Sequence, residues 1–149
     1  MQIVNLTEAY QNELKGRKRH YETIFIVNPQ MSDADAKDLI ERNSKVLSQY
    51  GGTSLRQDDW GKRRMAYIIE KHQMGRYVYF RYIAPAKAVS ELERSLKLDA
   101  QVFRFQTVKL SEVLSQEEID SLIERAPREA SSSPAYRQDE EDLEAATFA

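Results

Sequence analysis

Residues 76–84 read Arg76-Tyr77-Val78-Tyr79-Phe80-Arg81-Tyr82-Ile83-Ala84, and Pro85 follows. Aromatic and β-branched residues dominate, so the stretch favours a pleated, half-buried strand. Successive side chains on a strand point to opposite faces. Val78, Phe80 and Tyr82 therefore share one face, and Tyr77, Tyr79 and Arg81 share the other. Pro85 has no amide to give to a ladder and ends the strand. A strand needs partners for its backbone hydrogen bonds.

Those partners lie on either side in sequence. After Pro85, Val89, Leu92 and Leu96 fall on one face of a helix from about Ala86 to Leu98, with Glu91, Glu93, Arg94 and Lys97 largely outside. Val102 to Leu110 then reads as a last strand. Upstream, Glu70 to Gly75 turns the chain, and Thr53 to Ile69 is a long charged strand with a break expected at Gly61. Before it, Ser32 offers an N-cap, and Asp33 and Asp35 suit the positive end of a helix dipole. Ala36, Leu39, Ile40, Asn43, Val46, Leu47 and Tyr50 form its buried stripe, and Gly51-Gly52 closes it. Arg19 to Asn28 is the first strand, apolar on both faces around Ile24-Phe25-Ile26-Val27, as a central strand is. The order β-α-β-β-α-β is the split, ferredoxin-like arrangement of class α+β: a four-stranded antiparallel sheet with two helices on one face. Right-handed crossovers put both helices on that face. The other face is expected to lack a helix and to meet water or a partner.

Three segments follow: a 1–16 extension, the 17–110 domain and a 111–149 tail. Their net charges are −1, +7 and −8, which the overall −2 conceals. A basic body with an acidic tail suggests nucleic-acid contact by the body. In the tail, Ser115-x-x-Glu118 is a capping box opening a short helix to about Ala126. Beyond Pro127, Ser131-Ser132-Ser133-Pro134 and Asp139-Glu140-Glu141-Asp142 cannot bury enough apolar area to offset chain entropy. That part is expected to be disordered, and the tail dispensable for folding.

Several chemistries are excluded. There is no cysteine, which removes disulfides and thiolate sites, and only two histidines, His20 and His72, far apart. No apolar run is long enough to span a bilayer, and residues 1–16 lack the core of a secretory signal. A reducing, cytosolic setting is expected. No phosphate loop, nucleophile elbow or metal-spaced cluster occurs. Asp58 and Asp59 are strand neighbours and face opposite ways. An acylphosphatase-like site would need Arg and Gly after the first strand, where the chain has Asn28-Pro29-Gln30-Met31. The RNA-recognition-motif pattern would fall at Met74 to Arg81, and only Gly75 fits it. A free-standing RNA-binding regulator using the same surface stays open.

The strongest local signal is Asp59-Trp60-Gly61-Lys62-Arg63-Arg64-Met65-Ala66-Tyr67. Three consecutive cations on a strand serve either as phosphate contacts or as charges that keep an exposed edge from aggregating. Tyr77 and Tyr79 beside Arg81 could stack bases, pack on a protein, or simply close the second face.

Together with Arg19-His20-Tyr21-Glu22-Thr23, Asn28-Pro29, Gly75-Arg76-Tyr77-Val78 and Val102-Phe103-Arg104, the segment Trp60 to Ile69 resembles the bacterial ribosomal small-subunit protein six family. The resemblance covers Arg17 to Leu110 in order. Met65 stands where Leu is usual, Ile68 where Pro is common, and Glu70 where a small or basic residue is typical. The first two are apolar exchanges that leave a strand intact. Residues 1–16 precede the point where the family normally begins.

The resemblance implies a structural ribosomal protein, not an enzyme, with no cofactor, metal, membrane or small-molecule substrate. It implies docking on the platform of small-subunit ribosomal RNA, paired with ribosomal small-subunit protein eighteen, in support of platform assembly and translation. On that resemblance the RNA-side residues are Arg19 and Tyr21 on the first strand, Lys62, Arg63 and Arg64 on the second, and Arg104 and Lys109 on the fourth. Tyr77 and Tyr79, with the start of the tail from Ser111 to Leu114, are the protein-partner residues.

Overall fold

The computed structural model describes residues 17–132. Its elements are β1 (Arg19–Val27), α1 (Asp33–Gln49), β2 (Thr53–Ile69), β3 (His72–Ala84), α2 (Ala86–Leu98), β4 (Val102–Lys109) and α3 (Gln116–Ser132). The strands form one antiparallel sheet in the order β2-β3-β1-β4. This is the ferredoxin-like arrangement, with β1 and β3 central as their two apolar faces require.

The expected turn from Glu70 to Gly75 is shorter than that. Only Glu70 and Lys71 turn the chain, with φ of 50° and 65°, and β3 begins at His72. Two left-handed residues match the twist of a tight two-residue hairpin. The hairpin therefore projects beyond β1, which pairs with β3 only from Arg76 onward.

The register separates two cores. On the helix side Tyr21, Phe25, Val27, Val78, Phe80 and Tyr82 pack beneath Leu39, Leu47, Leu92 and Leu96. Each such large side chain contributes about 1.5–3 kcal/mol when fully buried. Buried Asn43 ties the two helices together. Its Nδ2 donates to the Leu39 carbonyl at 2.8 Å, and its Oδ1 accepts from the Ser95 hydroxyl at 2.9 Å. The Ser32 hydroxyl caps α1 by accepting from the Asp35 amide, and Gly51 (φ 86°) closes the far end. At the entry to α1, Arg76 is clamped by two carboxylates. Its Nε lies 3.1 and 2.9 Å from the Asp59 oxygens, and its Nη1 lies 2.8 Å from Asp33 Oδ1.

On the opposite face Ile26, Met65, Ile69 and Tyr77 form a smaller core, flanked by Ile24, Trp60 and Phe103. Gly75 is needed there, because a Cβ would come within 2.4 Å of Ile26 Cγ2 and 3.0 Å of Met65 Sδ.

A third helix joins the two that the strand order requires. The Leu114 amide donates to the Lys18 carbonyl, and α3, which follows, contacts β2. The capping box forms as expected, with Ser115 N to Glu118 at 2.8 Å and Glu118 N to the Ser115 hydroxyl at 3.3 Å. Ile119 and Ala126, seven residues apart and so on one face, are buried. The first part of the tail thus packs on the domain. The helix also passes Pro127 and reaches Ser132 instead of stopping near Ala126. Residues 1–16 and 133–149, where the extension and the acidic run were placed, lie outside the described residues.

Candidate functional site

Two irregularities in β2 decide which side chains meet a partner. The pairing with β3 shifts between Ser54 and Arg56 and again between Asp59 and Gly61. At the second, Trp60 is the extra residue, Gly61 takes φ 75°, and its amide donates to Asp59 Oδ1 at 2.9 Å. Such a bulge needs glycine at the left-handed position. Strict alternation from Asp58 would have sent Lys62 and Arg64 to the aromatic face. Past the bulge the sides exchange: Arg63 pairs opposite Gly75 on the aromatic face, while Lys62 and Arg64 pair with Arg76 and Met74 on the other. The three cations are therefore not one patch. Lys62 and Arg64 are exposed and have no ion pair or hydrogen bond among the described residues, whereas Arg63 is 8% exposed.

Arg63 ends a stack of flat groups. Its guanidinium carbon lies 5.9 Å from the Trp60 ring centre, and Trp60 stacks on Tyr79 at 5.1 Å and 11°. Arg56 lies over the Tyr79 ring at 5.9 Å. The acids of this face are engaged: the Tyr79 hydroxyl donates to Glu22 (2.9 Å), and Arg56 bonds Asp58 (2.6 Å). Arg63 Nε is buried with no acceptor among the described residues. Guanidinium on indole is a favourable cation–π contact, but it leaves the Nε–H unsatisfied.

The remaining expected residues divide. Tyr21 is in the helix-side core, stacked on Tyr82 at 5.8 Å, so its ring is closed to a base and the RNA-side assignment fails on burial. Arg19 and Lys109 both reach into the tail, at 4.0 and 2.7 Å from Glu112, whose carboxyl Lys109 holds below the usual range, with a smaller contribution from Arg19. Arg104 is exposed opposite Ile26 and without such a partner among the described residues. Tyr77 and Tyr79 are on the aromatic face as expected, but both are buried. The half-buried Trp60 and Phe103 flank them, with His72 stacked on Phe103 at 5.5 Å. Ser111 accepts from the His20 amide, which with the Leu114 bond fastens the start of the tail to β1.

Sequence reasoning missed Trp60 and Arg56. The signal available was the single tryptophan of the chain next to Gly61 and three cations. Among the described residues no helix is long and apolar enough to cross a membrane, and no group of His, Asp or Glu is arranged to hold a metal.

The family model of ribosomal protein S6 matches residues 20–109, which run from the second residue of β1 to the last of β4. The small ribosomal subunit protein bS6 of Geotalea daltonii is 38% identical over 128 residues, 86% of this chain and 90% of that one. Residues 1–109 are under three quarters of the 149, so this overlap runs on into α3. The bS6 of Pelobacter propionicus is 43% identical over 93 residues, 62% of this chain and 72% of its own. The crystal structure of 30S ribosomal protein S6 from Thermotoga maritima has 25% identity and a TM-score of 0.59, over 77% of this chain and 99% of that one. A match spanning the whole sheet, relatives alike over most of their length and a shared fold make this chain a member of the ribosomal protein S6 family.

Proposed function

We propose that the chain is a non-enzymatic structural constituent of the small ribosomal subunit, acting in the bacterial cytoplasm. It binds small-subunit ribosomal RNA together with small-subunit protein eighteen and supports platform assembly. Family membership supports the subunit role. The observation that carries RNA contact is the exposure of Lys62 and Arg64 on the helix side of the hairpin and of Arg104, opposite Ile26, on the aromatic side, all without acid partners among the described residues, in a domain of net charge +7. Such cations bind phosphates by releasing counterions and position a protein without reading sequence. The half-buried Trp60 and Phe103 on the other side of the hairpin suit a protein partner, since aromatic side chains bury much area at low entropic cost.

The test is a titration of small-subunit RNA with the chain and protein eighteen together, over a range of salt. Lys62→Ala with Arg64→Ala should leave folding intact and reduce the salt slope by about one unit per lost contact. An unchanged slope with normal binding would reduce these cations to protection of a sheet edge.

A further inference from the structure

The bulge at Trp60-Gly61 buries one cation on the aromatic face and leaves it without an acceptor. Arg63 is more than nine-tenths covered, its Nε has no partner among the described residues, and its guanidinium lies beside the Trp60 ring. A buried N–H that is not paired is costly to a folded chain. A neutral side chain of the same length would pack there without that penalty. Its guanidinium carbon lies 5.9 Å from the Trp60 ring centre, and burial of the side chain limits how far its donors can swing. A planar fork of this kind matches the two oxygens of a carboxylate or phosphate.

We propose that Arg63 is the seat for a carboxylate of the protein partner, an aspartate, a glutamate or a chain end, delivered when the partner covers the hairpin end of the aromatic face. This rests on the pairing proposed above and names the chemistry of its contact. Two observations favour a protein carboxylate over an RNA phosphate. Arg63 is set among apolar groups, with Met65 and Tyr77 on its own face and Trp60 against it. Its solvated neighbours Lys62 and Arg64 point to the other side, so no run of cations surrounds it to track a nucleic-acid backbone.

The experiment uses the full chain, purified protein eighteen and a small-subunit RNA fragment. Arg63→Met should keep the melting temperature or raise it, because an unpaired buried N–H is gone. The same change should weaken pairing with protein eighteen about 10- to 100-fold, the range expected for lost hydrogen bonds to a charged group. Arg63→Lys should restore only part of the pairing, since an ammonium cannot reproduce the fork. The RNA salt slope of the assembled pair should not change.

Wild-type pairing is the control. If the wild-type chain fails to pair, the proposed function falls and takes this inference with it. If it pairs and Arg63→Met pairs equally well, the inference alone is overturned. A salt slope lowered by about one unit with pairing intact would make Arg63 a phosphate contact. A lower melting temperature would make it a structural residue. Either result overturns the assignment.

Discussion

Cutting the Asp59 side of the Arg76 clamp should destabilise the fold far more than cutting the Asp33 side. The Arg76 side chain is 10% exposed, Asp59 29% and Asp33 96%. Asp59 meets Nε with both oxygens and Nη2 with Oδ2 at 2.5 Å, and its hydrogen bonds are the main cause of a raised Arg76 pKa. Removing one partner of a buried pair costs roughly 3–5 kcal/mol. Asp59 is partly solvated and Asp33 would remain, so Asp59→Ala should cost about 2–3 kcal/mol. Asp33 is almost fully in water, so Asp33→Ala should stay within about 0.5 kcal/mol. Arg76→Met removes the buried charge itself and should be near neutral. In the double variant it should recover the part of the Asp59→Ala loss that comes from Arg76, leaving the lost Gly61 amide bond.

Urea unfolding followed by backbone circular dichroism measures all four, with Asp59→Ala lowering the midpoint by about 1.5–2 M. Equal costs for Asp33→Ala and Asp59→Ala, or an Arg76→Met variant as weak as Asp59→Ala, would refute the reasoning.

Two further outcomes test the packing. The Tyr82 hydroxyl, 2.8 Å from Thr23 Oγ1, is pushed up to about 12 by burial, against the opposing pull of its hydrogen bonds to Thr23 and Thr107. A folded value above the usual 10 means that its contribution to stability is intact below pH 10 and lost as pH rises through 12. Phenolate absorbance should therefore show one tyrosine ionising late, together with alkaline unfolding, and early ionisation in a folded chain would contradict this. Truncation after Leu110 should lower the melting temperature relative to a cut after Ser132. Burial of Ile119 is worth about 1.5–3 kcal/mol, of which helix ordering leaves roughly 1 kcal/mol, or about 4–8 °C. Identical melting of the two truncations would mean that α3 contributes nothing.

The sheet was legible because its signals are local. Alternation along Arg76 to Ala84 separates Val78, Phe80 and Tyr82 from Tyr77, Tyr79 and Arg81, as the two cores show. The stripe from Ala36 to Leu47 and the Ser32 cap gave α1 nearly to the residue. The site was less legible, because a face depends on counting residues along a strand. Gly61 signalled an irregularity but not that the strand would continue through it with its sides exchanged, which puts Arg63 rather than Lys62 and Arg64 on the aromatic face. Tyr21 carried an aromatic and polar signature, and only its register opposite Tyr82 commits it to the helix side. The reach of α3 depends on tertiary contact between Ile119, Ala126 and the sheet, which overrides the helix-ending tendency of Pro127.

The extra residue at Trp60 gives this strand slack in its count. Deleting Trp60 keeps every charge and restores plain alternation, with Asp59, Lys62 and Arg64 still on the helix side and Gly61 and Arg63 still on the aromatic side. What goes is the indole and the local twist of the bulge. A residue lost beyond Gly61 has no such slack, and every cation after it would change sides. Gene variants of this hairpin can therefore drop the bulged codon and keep both surfaces, whereas a codon lost farther along the strand would exchange them.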